Sequence, residues 1–306
     1  MKVSELMYPP TWVAPDTSIL ELAKLMEDHN IGHVLVELED KKYGIATERD
    51  ILYKVVAEDK DFIKTRARDI VTENLHTIDS DKHVRKACRL FNEHNIRRLL
   101  VTDGGELKGV VSSKDTSRCN IFMYDEYVQL LASKSDEEPS IRLQRRVTDI
   151  MREVAKVDPE MSVLDAAKSM REKLVGEAIT KIGDNHAIVT EIDVLYKVVG
   201  KGLSPGDVKV KDICSILHTS VDSKATVRDA SSLFNLRNIR RLPVVEGDEV
   251  IGIITEKNIS KYCVFAYEKT ITALEEIDPE SAKSFAEFED KRMGIFVKGT
   301  LKPDKD

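Results

Sequence analysis

The sequence lacks long apolar runs and has few cysteines. No stretch reaches the roughly 18 consecutive apolar residues that a membrane span needs, and the first residues lack the apolar segment of a signal peptide. The four cysteines lie far apart without a Cys-x-x-Cys pair: Cys88, Cys119, Cys214 and Cys263. Cys88 falls on the apolar face of a predicted helix, which favours a buried reduced thiol. We therefore expect a cytoplasmic protein with no contact with a membrane.

Sequence patterns typical of catalysis and metal binding are also absent. The chain contains no Walker sequence, no GxGxxG and no HExxH, and its seven histidines are scattered. A formal net charge of −7 argues against general nucleic-acid binding, because neutralising phosphates requires a basic face. These absences predict a protein that is not an enzyme and requires no metal or cofactor. Any anionic ligand has to be held by local positive charge.

What the sequence contains instead is one short motif in four copies. Each copy follows a short apolar strand and consists of a hydroxyl residue, two variable residues, and an acid or amide. The copies are Thr47–Asp50, Ser112–Asp115, Thr190–Asp193 and Thr255–Asn258. The first two copies are as far apart as the last two, and a longer interval separates the second from the third. This spacing indicates two pairs of repeats.

The two pairs are themselves a duplication. The segment Leu52–Val56 returns as Leu195–Val199, and Asn95–Leu99 returns as Asn238–Leu242. Extra charged residues follow each pair. The predicted boundaries are 1–62 for repeat 1, 63–132 for repeat 2, 133–146 for a linker, 147–203 for repeat 3, 204–270 for repeat 4, and 271–306 for a charged helix and tail.

Within each repeat the predicted order is strand, helix, strand, strand, helix. The first helix carries apolar residues at positions i, i+3, i+4 and i+7, as over Ile19–Met26. Three of these helices begin with a capping-box pattern, whereas the one in repeat 2 is expected to rely on Ser80 or Asp81. The fold class is therefore α/β (α+β), with four β-α-β-β-α repeats arranged as two pseudo-symmetric pairs.

The motif itself has two interpretations that one geometry can satisfy. Thr47 can cap the helix that begins at the motif, with Asp50 reaching back to the Thr47 amide. Alternatively, the hydroxyl donates to a phosphate at the helix N-terminus and the carboxylate accepts both hydroxyls of a ribose. Glycine enters the preceding strand in three copies, and Ala187 replaces it in the third. Such a glycine lets another backbone or a flat ligand approach closely.

The motif and the order of elements resemble the cystathionine-β-synthase (CBS) domain. The resemblance covers essentially residues 1–267 in four copies, and the chain is similar in plan to the gamma subunit of AMP-activated kinase. It implies tandem pairs of CBS domains that bind adenosine compounds in their clefts. Carried over, it assigns phosphate or ribose contacts to Thr47, Asp50, Ser112, Asp115, Thr190, Asp193, Thr255 and Asn258. Asn258 departs from the pattern, since an amide offers one acceptor oxygen where a carboxylate offers two.

Two pairs of arginines enter the second strand of repeats 2 and 4. Arg97 and Arg98 correspond to Arg240 and Arg241, whereas repeats 1 and 3 lack the pair. The resemblance implies that basic residues here reach ligand phosphates, and a guanidinium binds two phosphate oxygens at once. The alternative is a surface salt bridge, which contributes little. The phosphate interpretation favours AMP, ADP or ATP over S-adenosylmethionine.

The leading hypothesis is a non-catalytic sensor that binds adenine nucleotides between paired repeats and is read by an unidentified regulated protein. One alternative is a nucleic-acid-binding protein that uses the paired arginines and the basic tail, 298–305. Another is a purely structural scaffold with degenerate pockets. One chain could close into a disc by itself, or two chains could pair as a homodimer.

Overall fold

The computed structural model describes residues 1–39, 42–113, 115–116, 145–237, 239, 241–255, 257–259, 261–262 and 283. Most of the predicted linker and nearly all of the predicted C-terminal helix and tail lie outside these ranges. So does Arg240. No helix in the described part of the chain is both long enough and apolar enough to cross a bilayer.

The first two repeats share the order of a strand, a helix and two further strands. Repeat 1 contains β1 (Trp12–Val13), α1 (Ile19–Asp28), β2 (His33–Glu37), β3 (Tyr43–Thr47) and α2 (Glu48–Ile51), and α2 continues as a π-helical turn over Leu52–Val56. Repeat 2 contains β4 (Thr77–Asp79), α3 (Val84–Glu93), β5 (Arg98–Asp103) and β6 (Glu106–Ser112).

The last two repeats reproduce this order. Repeat 3 contains β7 (Ala155–Lys156), α4 (Val163–Glu172), β8 (Glu177–Ile182), β9 (Asn185–Thr190) and α5 (Glu191–Val194), followed by a π-helical turn over Leu195–Val199. Repeat 4 contains α6 (Val210–Ile213), β10 (Ser215–Ile216), β11 (Val221–Asp222), α7 (Val227–Arg237), β12 (Arg241–Glu246) and β13 (Glu249–Thr255). The predicted fold class is confirmed.

Each repeat builds one small mixed sheet. The first strand pairs in parallel with the second, and the second pairs antiparallel with the third, as in the register Leu35↔Ile45 between β2 and β3. Alternation along β2 sends Val34 and Val36 toward the helices and Leu35 toward the opposite face. Both faces of β2 are therefore apolar, and the second face has to be covered by another repeat.

The first helix of each repeat buries the apolar stripe that the sequence predicts. Cys88 is one of the buried residues of α3, as its place on the predicted apolar face suggested. The predicted cap of α3 was wrong. Its N-cap is His83, whose Nδ1 accepts from the Arg85 amide at 3.2 Å. Ser80 is still tied to β5, because its amide donates to the Thr102 carbonyl at 2.8 Å, so the chain turns helical only later.

The sheets of repeats 1 and 2 face each other, as do those of repeats 3 and 4. Leu35 and Ile45 pack with Leu100 and Val110 in one cluster. The equivalent cluster in the other half contains Val154, Ile179, Ile188, Val250 and Ile253. We call repeats 1 and 2 the first module, and repeats 3 and 4 the second module.

The two modules contact each other through the helices of repeats 1 and 3. These helices share one apolar core, with α1 against the π-helical turn Leu195–Val199 and α4 against Leu52–Val56. A pair of related hydrogen bonds crosses the contact. The Tyr53 hydroxyl donates to the Val175 carbonyl at 2.9 Å, and the Tyr196 hydroxyl donates to the Met26 carbonyl at 3.2 Å. The modules thus meet within one chain around a pseudo-twofold axis.

The segment that leads into each repeat crosses onto the last strand of its module partner. Tyr8 pairs with Val110 of β6, and Arg152 pairs with Ile253 of β13. The glycines of the sequence pattern lie at these crossings. A Cβ on Gly109 would lie 2.6 Å from the Tyr8 carbonyl oxygen. On β9, the last strand of repeat 3, the crossing segment is β10 of repeat 4, which pairs regularly and places Ile216 opposite Ala187.

We predict that Gly109→Ala destabilises the protein by about 1–3 kcal/mol, the usual cost of overpacking. The added methyl collides with the Tyr8 backbone, which cannot move without breaking its bonds to Val110. Urea unfolding measures the difference. The control is Ala187→Gly, which removes a methyl at the equivalent position of repeat 3 and is expected to cost roughly 0.5–1 kcal/mol. An unchanged unfolding midpoint for Gly109→Ala would contradict the prediction.

Candidate functional site

All four motifs form capping boxes. In repeat 1 the Asp50 amide donates to Thr47 Oγ1 at 3.2 Å, and the Thr47 amide and hydroxyl donate to Asp50 Oδ2 at 3.0 and 2.5 Å. The same hydroxyl-to-acid bond occurs in Ser112–Asp115 at 2.5 Å and in Thr190–Asp193 at 2.6 Å. In Thr255–Asn258 the amide oxygen takes the role of the carboxylate at 2.5 Å. Capping engages one oxygen of each acid, so a carboxylate keeps a second acceptor that Asn258 lacks.

In repeats 1 and 3 a lysine binds that second oxygen. Lys54 Nζ lies 2.8 Å from Asp50 Oδ1 and donates to the Ile70 carbonyl at 2.5 Å. The arrangement recurs at Lys197, which lies 2.7 Å from Asp193 Oδ1 and donates to the Ile213 carbonyl at 2.6 Å. Repeats 2 and 4 carry Cys119 and Tyr262 at these positions, which cannot form this ion pair. A ribose at Asp50 or Asp193 has to share its acceptor with a lysine.

Alternation along the strand sends Arg97 and Arg98 to different modules. Arg98 Nη2 donates to the Gly32 carbonyl at 2.6 Å and to Glu48 Oε2 at 2.8 Å, both in its own module. Arg97 Nη1 donates to Glu191 Oε1 in the second module at 2.7 Å. In both ion pairs the glutamate side chain is largely buried, so these pairs differ from the fully exposed surface salt bridges considered as the alternative to phosphate binding.

Charged side chains from all four repeats meet where the modules touch. Arg49 lies in repeat 1, Arg97 in repeat 2, and Lys257 in repeat 4. Three of the four motifs contribute a residue to this group. We call this group the central charge cluster, and its members are Arg49, Arg97, Arg152, Glu177, Glu191, Arg241 and Lys257. Five of its members are cationic groups and two are carboxylates, so the cluster is positive overall.

The two carboxylates each serve two arginines. Glu191 pairs with Arg97, and its other oxygen lies 3.6 Å from Arg49 Nε. Glu177 pairs with Arg152, and its other oxygen lies 3.4 Å from Arg241 Nε. The predicted site residues Arg97 and Arg241 therefore lie in one cluster and Arg98 lies beside it, whereas Arg240 is outside the described residues.

Electrostatics within the cluster reflect its excess of positive charge. Burial would raise the pKa of the Glu191 carboxyl, but the guanidinium groups of Arg97, Arg49 and Arg241 hold it at about 2. Burial, and then repulsion by Arg97, Arg49 and Arg152, lowers the pKa of the Lys257 amine to about 8. A positive charge at Lys257 is thus disfavoured in the folded protein, and an added anion would relieve it.

Several donors of the cluster have no acceptor. Within the described residues, Arg49 Nε and Nη2 and Arg152 Nε are buried without a hydrogen-bond partner. A buried donor that is left unsatisfied costs free energy. An anion bound here would accept hydrogen bonds from these donors and remove that cost. Among the same residues no group of three or more His, Cys, Asp and Glu side chains could hold a metal ion. The arrangement suits an anion.

The sequence interpretation missed the glutamates of the motif. Glu48 and Glu191 occupy the first variable position and lie over Gly32 and Gly176, where a Cβ would collide with the carboxylates. A signal was available, because the same position carries glutamate in three of the four copies. Arg152 offered no such signal, since it lies outside every motif. The i,i+4 spacing of Asp50 and Lys54 was a second usable signal.

Comparison with known proteins decides the family. The model of the CBS domain matches residues 3–57, 67–118 and 208–264, which is more than half of the chain. The chain belongs to the CBS-domain family. Repeat 3 lies outside the matched stretches, but the structure gives it the same order of strand, helix, strand and strand as the others. The four repeats are therefore four CBS domains in one chain.

Curated relatives are similar over part of the chain. The uncharacterised protein MK0525 of Methanopyrus kandleri is 38% identical over 104 residues, which are 33% of this chain and 53% of that protein. The uncharacterised protein MJ1404 of Methanocaldococcus jannaschii is 25% identical over 268 residues, 82% of this chain and 58% of that protein. The chain therefore spans little more than half the length of these two relatives.

Two solved structures establish the fold. The protein MJ1225 of Methanocaldococcus jannaschii, described as a proposed archaeal homologue of g-AMPK, is 19% identical with a TM-score of 0.61, covering 86% of this chain and 99% of that one. An uncharacterised conserved protein of Pyrococcus horikoshii is 18% identical with a TM-score of 0.51, covering 86% and 100%. At these identities the likeness concerns the fold alone.

We predict that Lys257→Met stabilises the protein at pH 7 and flattens its pH dependence. The Lys257 pKa is about 8 when folded, against the ordinary value of 10.5. Between these values the unfolded chain binds more protons than the folded protein, so the free energy of unfolding rises with pH. Below pH 8 the folded protein carries the unfavourable charge.

Urea unfolding at pH 7 and pH 10 tests this prediction. The gain in stability between the two pH values should be smaller in Lys257→Met than in the original protein. The control is Lys168→Met, which removes an exposed lysine paired with Asp165 outside the cluster. If both variants keep the original pH dependence, Lys257 is not buried among cations.

Proposed function

We propose that the protein is a non-catalytic sensor that binds adenine nucleotides in the clefts between its paired CBS domains. The observation that supports this most is the central charge cluster, whose positive charge and unsatisfied guanidinium donors are buried beside the motifs. Three motifs supply members of the cluster. A ligand with its ribose at a motif acid can therefore direct its phosphates toward the cluster.

The proposed roles of the motif residues follow from the capping geometry. The acids Asp50, Asp115 and Asp193 present a carboxylate at a helix N-terminus, where Thr47, Ser112 and Thr190 already orient it. A carboxylate held in this way is preorganised to accept ribose hydroxyls. Thr255 and Asn258 form the weaker site, because the amide has no second acceptor.

The charge of the cluster bears on the choice of ligand. AMP, ADP and ATP bring negative phosphates to a positive site, whereas S-adenosylmethionine brings a sulfonium cation that the same groups repel. We propose adenine nucleotides on this ground. The regulatory role is in keeping with the description of MJ1225 as a proposed homologue of g-AMPK. The regulated protein is unidentified.

The nucleic-acid alternative finds no support in the described residues. Arg97, Arg98 and Arg241 are engaged with glutamates between domains and do not form an exposed basic face. The formal net charge of −7 also opposes binding to a polyanion. We retain the nucleotide sensor as the proposal.

We predict that combined Asp50→Ala, Asp115→Ala and Asp193→Ala abolishes the binding of AMP, measured by isothermal titration calorimetry. The reason is that the variant loses the ribose acceptor in three clefts. A matched control is combined Glu21→Ala, Asp165→Ala and Asp229→Ala. These acids bond to Ser18, Ser162 and Thr226 at the start of first helices, away from the motifs.

The control separates ligand binding from helix capping. Both variants lose three capping acids and both are expected to lose stability, by an amount on the order of 1 kcal/mol per helix. Only the motif variant should lose AMP binding. Undiminished binding in the motif variant, or an original protein that binds no adenine nucleotide, would refute the proposed function.

A further inference from the structure

An ion pair with a buried carboxylate joins the two modules, between Arg97 of repeat 2, whose side chain is 32% exposed, and Glu191 of repeat 3. The atoms Arg97 Nη1 and Glu191 Oε1 are 2.7 Å apart, and the Glu191 side chain is 4% exposed. The other oxygen of Glu191 is buried and lacks a hydrogen-bond partner. It lies 3.6 Å from Arg49 Nε, beyond hydrogen-bonding distance. Glu191 is thus a carboxylate surrounded by guanidinium groups and bonded to only one of them.

The backbone places this carboxylate beside the motif. Glu191 directly follows Thr190 and is the first residue of α5, and Gly176 leaves the space that its side chain fills. A carboxylate and a phosphate compete for the same guanidinium fork, because both present paired oxygens. Glu191 therefore occupies a position in which a ligand phosphate would find Arg97 and Arg49.

The equivalent residue of repeat 1 behaves differently. Glu48 pairs with Arg98 at 2.8 Å, and both belong to the first module. Ion pairs between modules that do not involve Glu191 are more exposed, such as the pair of Glu58 with Arg171, whose side chains are 47% and 36% exposed. Exposed pairs contribute little. Displacing Glu191 thus has a consequence that displacing Glu48 lacks, because it breaks an ion pair that joins the modules.

We propose that Glu191 is an internal counter-ion that a ligand phosphate displaces from Arg97, so that phosphate binding breaks the buried ion pair between the modules. This inference rests on the proposed function and adds a residue that sets the affinity for phosphorylated ligands. The ligand gains the guanidinium groups, and the protein loses one contact. The ligand therefore binds more tightly when the Arg97–Glu191 pair is broken than when it is formed, which is the condition for a population shift.

The test is Glu191→Gln, which keeps the size of the side chain and its ability to accept from Arg97 while removing the competing charge. Calorimetric titrations with AMP and with adenosine are compared at one salt concentration. We expect AMP to bind at least about tenfold tighter to the variant, a gain in binding free energy of roughly 1.4 kcal/mol. Adenosine, which has no phosphate, should bind equally to both proteins.

Two further variants make the result specific. Glu58→Gln removes a charge from an exposed pair between the modules and should leave AMP affinity unchanged. Glu191→Asp retains a carboxylate on a shorter side chain, which weakens its contact with Arg97. Its AMP affinity should fall between those of the original protein and Glu191→Gln. This variant also provides a test should Glu191→Gln fail to fold.

The outcomes separate this inference from the proposed function. If the original protein binds AMP and neither Glu191 variant binds it more tightly, the counter-ion role is refuted and the sensor proposal stands. An equal gain for AMP and adenosine also refutes it, since Glu191 would then act on the nucleoside. If the original protein binds no adenine nucleotide, the proposed function is refuted, and the inference with it.

Discussion

The contact between repeats 1 and 3 is the constraint on which the site depends. Helices α1 and α4 pack against the π-helical turns Leu195–Val199 and Leu52–Val56, and they bury apolar side chains that contribute about 1.5–3 kcal/mol each. This packing brings the starts of α2 and α5 together from opposite modules. Charged residues at these helix starts are therefore removed from water. Their charges are compensated by two carboxylates, each of which lies close to two arginines.

The atoms that cap the helices in this protein are the same atoms to which we assign ligand binding. The hydroxyl of Thr47 or Thr190 fixes one oxygen of the following acid, and a lysine one turn later fixes the other. The acids are thus rigid before any ligand arrives, which lowers the entropy lost on binding. The same rigidity means that ligand binding at these two motifs competes with existing bonds. The affinity of each cleft is a difference between two sets of contacts.

Local patterns predicted the fold, and long-range contacts limited the prediction of the site. The spacing of apolar residues over Ile19–Met26 and its copies gave the first helices, and the four motifs gave the capping boxes, because both depend on neighbours within one turn. The ion pair of Arg97 with Glu191 joins residues from different modules, so no spacing in the sequence reveals it. The sequence paired Arg97 with Arg98 as candidate phosphate contacts, but it could not name their partners.

The contacts between the leading segments and the last strands affect whether a sequence pattern detects each domain. Glycine is required where a leading segment passes over the strand irregularly, as Tyr8 does over Gly109, and it is dispensable where β10 runs in register beside Ala187. A search pattern that insists on glycine would therefore count three domains in this polypeptide. The domain it overlooked would be the one that supplies both Glu177 and Glu191.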